Sequence, residues 1–238
     1  MAATKYLEIY NAHGNLIIDD TYKNLRLVSI TKPSIEDEPG RLIRLDVPLN
    51  PGEFAGVFCS SDDYYIHASH RRNLLHVRLH RADERDIGIG EFGFIENAIT
   101  IYKFSDTQDT NTERIGLLVW NKDGELVFNS NSRYARVVGQ FLKTEVNPTQ
   151  VQTLPDGMPQ TTFSAAKVAA IPFTMHEWQM SNPQVVTFSS MKLRWHSHNS
   201  LKVIWTPDHG YAHGTGYIFD RTGVTSATCI LFIDVTNY

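Results

Sequence analysis

Apolar and polar residues in this chain alternate in short runs. Leu75, Val77 and Leu79 alternate with His76, Arg78 and His80. Leu193 and Trp195 alternate with Arg194 and His196, and Leu201, Val203 and Trp205 with Lys202, Ile204 and Thr206. A period of two sends successive side chains to opposite faces. These runs therefore predict strands with one packed face and one face turned to solvent or a partner. Near the start, Leu7-Glu8-Ile9-Tyr10 and Leu16-Ile17-Ile18 flank Asn11-Ala12-His13-Gly14. Asn and Gly tolerate positive φ, so this reads as a hairpin with a tight turn. A strand over 22–29 follows, with Leu25 and Leu27 on one face and Arg26 on the other.

The same phrase returns 110 residues later as Leu117-Leu118-Val119-Trp120-Asn121-Lys122-Asp123-Gly124-Glu125-Leu126-Val127-Phe128-Asn129. Without a gap, Asn11 matches Asn121, Gly14 Gly124, Leu16 Leu126, Arg26 Arg136 and Val28 Val138. Such a recurrence points to internal duplication. Weaker echoes pair Phe58-Cys59-Ser60-Ser61 with Phe188-Ser189-Ser190 and Tyr65-Ile66-His67 with Arg194-Trp195-His196. A third pairs Asn73-Leu74-Leu75-His76-Val77 with Asn199-Ser200-Leu201-Lys202-Val203. Each half closes on an apolar strand, 98–104 and 228–235, and the polar stretch 105–114 makes a natural connector. The expected architecture is all-β: two tandem antiparallel β-sandwich domains, residues 1–108 and 109–238. Polar stretches at 31–40 and 144–162 read as long excursions from one sheet to the other. The one helical turn expected is 164–170, ended by Pro172. Gly88, Gly90 and Gly93 lack a βαβ context for dinucleotide binding and read as a bulged or tight strand turn.

Composition supports strands: 18 Ile, 16 Val and 20 Thr join 12 Phe, 10 Tyr and 4 Trp. With 22 Lys plus Arg against 26 Asp plus Glu, the formal charge is −4. No basic excess draws in a nucleic-acid backbone or an anionic bilayer, so neither is an expected partner. The N-terminal run lacks an apolar segment, and no stretch approaches the ~18 apolar residues of a membrane span. Neither a signal peptide nor membrane insertion is expected. Cys59 and Cys229 sit in apolar runs and read as buried free thiols.

Ten histidines invite a search for metal ligands. His76 and His80 share a strand face but lie about 13 Å apart, too far for one ion. His67 with His70, and His209 with His213, fall in segments read as turn-rich. His196 and His198, if both in a strand, face the same way about 6.5 Å apart. Three copies about a threefold axis would supply six nitrogens to a metal. Asp62 and Asp63, like Asp19 and Asp20, are adjacent residues and point to opposite faces. Ser60, Ser61 and Asp62 with His67 and His70 suggest a triad, but no nucleophile elbow, phosphate loop or zinc signature is present. No catalytic residue and no cofactor is expected. Tyr64, Tyr65, Trp178, Trp195, Trp205, Tyr211 and Tyr217 are core or contact aromatics. The segment 206–216 reads as a long exposed loop. With Trp205 it forms the expected contact surface, carried by Trp205, Asp208, His209, Tyr211 and His213.

The second hairpin, Ile115-Gly116-Leu117-Leu118-Val119-Trp120-Asn121-Lys122-Asp123-Gly124-Glu125-Leu126-Val127-Phe128-Asn129-Ser130, precedes Arg136-Val137-Val138. It resembles a phrase common in small tail proteins of long-tailed bacteriophages and prophages, with Asn129 in place of the usual Asp. The opening 7–11 and 24–27 resemble the N-terminus of the same group. The resemblance implies a virion structural protein of the tail tip, fibre or baseplate region, assembled in the host bacterial cytoplasm. It implies a symmetric homo-oligomer, with a trimer favoured, in contact with other phage tail proteins and assigns no catalytic residue. Two other classes stay open: a receptor- or carbohydrate-binding module touching the host surface, and a polysaccharide hydrolase.

Overall fold

The computed structural model describes residues 8–10, 16–19, 25–35, 43–83, 87–106, 116–121, 123–144, 158–175, 177–181, 185–212 and 227–238. The first half holds the hairpin β1 (Glu8–Tyr10) and β2 (Leu16–Asp19), then β3 (Arg26–Thr31), β4 (Ile43–Pro48), β5 (Glu53–Cys59), β6 (Tyr64–Arg71) and β7 (Leu74–Arg81). A short helix α1 (Phe92–Ala98) leads into β8 (Ile99–Ser105). The second half repeats the plan: hairpin β9 (Leu118–Trp120) and β10 (Leu126–Asn129), then β11 (Arg136–Thr144), β12 (Met158–Thr162), β13 (Val168–Thr174), β14 (Glu177–Ser181), β15 (Val185–Ser197), β16 (Ser200–Ala212) and β17 (Ala227–Asp234).

Two large antiparallel sheets form an all-β sandwich. The first runs β11-β17-β13-β5-β8-β3 and the second β12-β16-β15-β6-β7-β4, with β14 also on β15. Both orders read the same from either end once β3 is exchanged for β11, β8 for β17, β5 for β13, β4 for β12, β7 for β16 and β6 for β15. Each sheet is therefore continuous across the boundary near residue 110, with three strands of its main order from either half. The joins fall on single residue pairs, Val57 with Ala170 in the first sheet and Ile66 with Leu193 in the second. The outer strands of the first sheet also meet at one end. There Arg26 bridges Tyr134, and the Ala135 N–H donates to the Leu25 carbonyl at 2.8 Å. Leu25 and Ala135 stand 110 residues apart, the offset of the repeated hairpin.

Side-chain burial follows the same plan. Ile99, Ile101, Tyr102 and Phe104 of β8 are buried, as are Ile230, Phe232, Ile233 and Val235 in and just beyond β17. Thr100 and Lys103, like Leu231 and Asp234, are half-buried. β3 and β11 each carry a register shift at the matching position, Val28 and Val138. Gly139, next to the second, is required by close packing: a Cβ there would stand 2.9 Å from the Phe163 ring. The chain passes between the two sheets from β3 to β4 and from β11 to β12, as expected, but the last part of the polar stretch 144–162 is itself a strand, β12. Residues 36–42 and 145–157 lie outside the described residues.

Local expectations fail where tertiary contacts override local chemistry. Residues 164–167 form a bend and 168–174 a strand, so the helical turn expected at 164–170 does not form. Val168, Ala169, Ala170 and Ile171 are all fully buried in β13, which rewards pairing on both sides more than Ala rewards a helix. Conversely, the glycine run read as a strand turn makes a 3-10 turn (Ile89–Glu91) and α1. Seven residues are too few to be helical alone. Ile95 and Ala98 bury one face, and the Glu96 carboxylate accepts the Ile35 N–H at 2.7 Å. His67 and His70, expected near turns, lie within β6. The echo of Phe58-Cys59 in Phe188-Ser189 falls on β5 and β15, which are not counterparts, whereas that of Asn73 in Asn199 falls on counterpart hairpin turns.

His70 holds the central join. Two positions along from Val57 and Ala170, the register would set Ala55 opposite Pro172. The imidazole lies between them: Nε2 is 2.9 Å from the Ala55 nitrogen and Nδ1 is 2.8 Å from the Pro172 oxygen. The Ala55 N–H can only donate, so Nε2 accepts and Nδ1 carries the proton to Pro172. Phe54 and Phe173 flank the ring at centroid distances of 6.4 and 6.0 Å. Burial holds the His70 pKa below its ordinary value, against the opposing Pro172 hydrogen bond. The neutral ring's contribution to stability is thus complete above the unfolded pKa near 6.5 and is lost as pH falls toward the lower folded pKa. Replacing His70 with Phe keeps a ring but orphans two backbone groups, and should cost roughly 2–5 kcal/mol in urea unfolding. The wild type should also lose more stability than His70→Phe between about pH 7.5 and about pH 5.5; equal losses would show that His70 does not titrate with folding. Because both sheets continue across the boundary, residues 109–238 alone should not be a stable monomer. Size-exclusion chromatography and circular dichroism of that fragment test this.

Candidate functional site

The outer face of the second sheet is built by register. Ile66, Leu79, Leu193 and Val203 point inward and are buried. Their neighbours Tyr65, His67, Arg78, His80, Lys192, Arg194 and Lys202 therefore fall on the opposite face. Asp46 and His76 join them from β4 and β7, with the His76 Nδ1 2.6 Å from the Asp46 carboxylate. The middle of this face is buried: His67 is 2% exposed and Lys192 1%. The His67 Nδ1 lies 3.0 Å from the Met191 carbonyl, tying β6 to β15. Toward the turn at His198 and Asn199 the face opens, and Arg194, His196 and Lys202 are half-exposed.

Arg194 and Lys202 are direct cross-strand partners in β15 and β16. The Arg194 Nε donates to the Asp62 carbonyl at 2.9 Å and its Nη1 to the Tyr65 hydroxyl at 3.3 Å, with the guanidinium 5.3 Å from the Tyr65 ring centroid. His196 sits at a register shift between Trp195 and Ser197. Its pKa is lowered, first by burial and then by the Lys202 and Arg194 charges, with Asp62 partly offsetting them. His198 lies in the turn, and its ring packs edge-on to Phe58 at 5.6 Å. The alternation that would aim His196 and His198 to one side is therefore broken by the bulge and the turn. Among the described residues, no three His, Cys, Asp or Glu side chains come together as a metal site.

The expected contact loop is placed differently. β16 continues through Ala212, so Trp205, Asp208, His209 and Tyr211 stand in a strand, not in a loop. Asp208 pairs with Phe188 and Tyr211 with Val186. The reason is the apolar run Val185-Val186-Thr187-Phe188 in β15, which supplies a partner strand for this length. His213 and the rest of the segment to 216 lie outside the described residues, as does Tyr217. The backbone thus brings four of the five contact residues onto one arm, continuous with the strands that carry Arg194 and Lys202. Those two cations were visible only as polar positions of an alternating strand; their pairing depends on register.

The serines and histidines weighed and set aside as a triad bond to other partners. The Ser61 hydroxyl donates to the Asp63 carboxylate at 3.1 Å, and Ser60 to the Ala98 carbonyl. The ring nitrogens of His70 go to Ala55 and Pro172, and the His67 Nδ1 to Met191. Nearby, Arg81 grips both Asp83 oxygens at 2.8 and 3.0 Å and bonds Glu91, while its guanidinium stacks on Tyr64. This ties β7 to the turn before α1. Burial and the Glu91 charge push the Tyr64 hydroxyl up to about 12.

The second hairpin packs on a small apolar cluster of its own. Val119, Val127 and Phe128 form that cluster, and Phe128 stacks on Tyr134 at 5.0 Å. The Asn121 side chain accepts the Asp123 and Glu125 N–H groups, and Gly124 takes a φ of 77° to close the turn. The Asn129 side-chain oxygen accepts the Asn131 N–H, a role an Asp would also fill. Trp120 is left 53% exposed and Leu117 47%.

Comparison with protein-family models, with curated proteins and with solved structures returns no match for this chain. Among the described residues no helix is long and apolar enough to cross a membrane.

Cys59 gives a direct check on the chemistry of the 59–63 segment. Burial pushes its thiol up to about 12, so the thiolate needed for nucleophilic chemistry is scarce at neutral pH. In the native protein at about pH 8, a disulfide thiol reagent should leave Cys59 unmodified and label it only after denaturation. Mass spectrometry of the labelled peptides, with half-buried Cys229 as the internal comparison, tests this; rapid native labelling of Cys59 would contradict it.

Proposed function

We propose that this chain is a structural protein of a bacteriophage tail, in the tip, fibre or baseplate region, and acts through protein–protein contacts without catalysis. The observation that carries the reading is the hairpin of β9 and β10, whose sequence resembles that of small phage tail proteins. Its turn is closed by Asn121 and Gly124, its apolar residues pack apart from the main core, and it presents Trp120 and Leu117 to solvent. A hairpin with an exposed Trp is suited to docking, since aromatic anchors dominate interface energies. The wide two-sheet body supports a scaffold role, with the two-fold strand plan taken as the product of duplication. A symmetric homo-oligomer, a trimer in the favoured form, in contact with other tail proteins belongs to the same proposal, as does location in the virion.

A second reading, a receptor- or glycan-binding module, draws on the β15–β16 arm. Trp205, Asp208, His209 and Tyr211 follow one another along it, which suits a surface for host contact.

Replacing Trp120 and Leu117 with Ser should leave stability within about 0.5 kcal/mol, because both are surface positions. The same change should sharply reduce the amount of protein in purified particles, measured by mass spectrometry of a complemented phage. Absence of the wild-type protein from particles would sink the virion proposal, and unchanged incorporation of the variant would remove the hairpin's role. If particles assemble normally and changes at Trp205 and Tyr211 abolish adsorption, the host-contact reading prevails.

A further inference from the structure

We propose that Arg194 and Lys202, with His196 beside them, form a binding site for an oxyanion group, a phosphate or a carboxylate, on the outer face of the second sheet. Two like charges directly opposite each other across an antiparallel pair are destabilising, yet Arg194 and Lys202 occupy such positions. Two other arginines are neutralised by carboxylates: Arg81 by Asp83 and Glu91, and Arg136 by Asp234 at 2.5 Å. Arg194 instead bonds neutral acceptors, the Asp62 carbonyl and the Tyr65 hydroxyl.

These contacts also orient it. Nε and Nη1 are engaged and the guanidinium carbon lies 5.3 Å from the Tyr65 ring centroid, so the group is held in place by neutral partners. A pre-set guanidinium loses little freedom when it binds an oxyanion, and its delocalised charge suits phosphate and carboxylate oxygens. Lys202 adds a second cation from the adjacent strand. The register shift at His196 places an imidazole next to them, and its Nε2, a donor in one neutral tautomer and in the protonated ring, is buried without a hydrogen-bond partner among the described residues. An oxyanion seated here would meet the charges of Arg194 and Lys202 and bring an acceptor to His196. Burial first, and then the Lys202 and Arg194 charges, lower the His196 pKa, with the Asp62 charge opposing them, in keeping with the closeness of these groups. The site is local in a chain of net charge −4, so it selects a discrete anionic group rather than a long polyanion track. It does not rest on a virion role, and its failure would leave that reading untouched.

The test is a titration of the full chain with sodium phosphate and, in a parallel arm, sodium glucuronate. Both are set against sodium chloride at matched ionic strength and followed by nuclear magnetic resonance of the 194–202 amides and the Arg194 Nε–H. Saturable shifts confined to these groups are expected with at least one oxyanion and not with chloride. Arg194→Gln and Lys202→Gln should each weaken binding by about tenfold or more, the loss of one charged hydrogen bond. Arg194→Lys, which keeps the charge without the planar donor group, should also weaken it. Saturation by phosphate alone assigns the site to phosphate-bearing ligands, and by glucuronate alone to acidic sugars. Shifts that never saturate, or that persist unchanged in a folded Arg194→Gln/Lys202→Gln double variant, would overturn the proposal.

Discussion

The structure depends on the join between the two halves of the chain, where each sheet is carried across by a single residue pair. Beside those pairs, side chains supply cross-strand hydrogen bonds. His70 fills the opening between Ala55 and Pro172, His67 ties β6 to the Met191 carbonyl, and Arg194 reaches back to the Asp62 carbonyl. Buried amides and carbonyls must be paired, and Pro172 has no N–H to offer. An imidazole, donor on one nitrogen and acceptor on the other, satisfies a facing N–H and C=O together. The same ring, packed between Phe54 and Phe173, also continues the apolar core up to the join. A neutral His70 is therefore a condition of continuous sheets, and its protonation opposes folding.

Two surfaces follow from that frame, with different chemistry. The second hairpin stands on a small cluster of its own and offers an apolar tip, Trp120 and Leu117. The outer face of the second sheet offers oriented cations beside the turn at His198, running into the arm that carries Trp205 to Tyr211. An apolar peg suits permanent assembly, where exposed aromatic area is removed from water. A solvated cationic cluster suits a smaller, exchangeable ligand, because its strength is set by local charge and falls with salt. One chain can thus hold an assembly contact and a recognition site on separate elements.

Much of the fold was legible in the residues. The period-two runs at 75–80, 193–196 and 201–206 are strands, Asn121 and Gly124 close a hairpin turn, and the chain crosses between the sheets after β3 and after β11. What misled was chemistry that acts locally in isolation. Ala165, Ala166, Ala169 and Ala170 suggest a helix until the strand partners of β13 are known. Gly88 to Gly93 suggest a turn until Ile95 and Ala98 find their burial. His196 and His198 suggest one ligand pair until a one-residue bulge separates them.

By itself the sequence determined the all-β class, the strand faces and the recurrence at 110 residues, because alternation and turn chemistry act over a few neighbours. Only the tertiary structure decided that the halves share both sheets, that His70 bridges Ala55 and Pro172, and that Arg194 stands opposite Lys202. Those facts depend on which distant strands pair and in what register. Register is set by the summed burial of whole faces, which no single segment encodes.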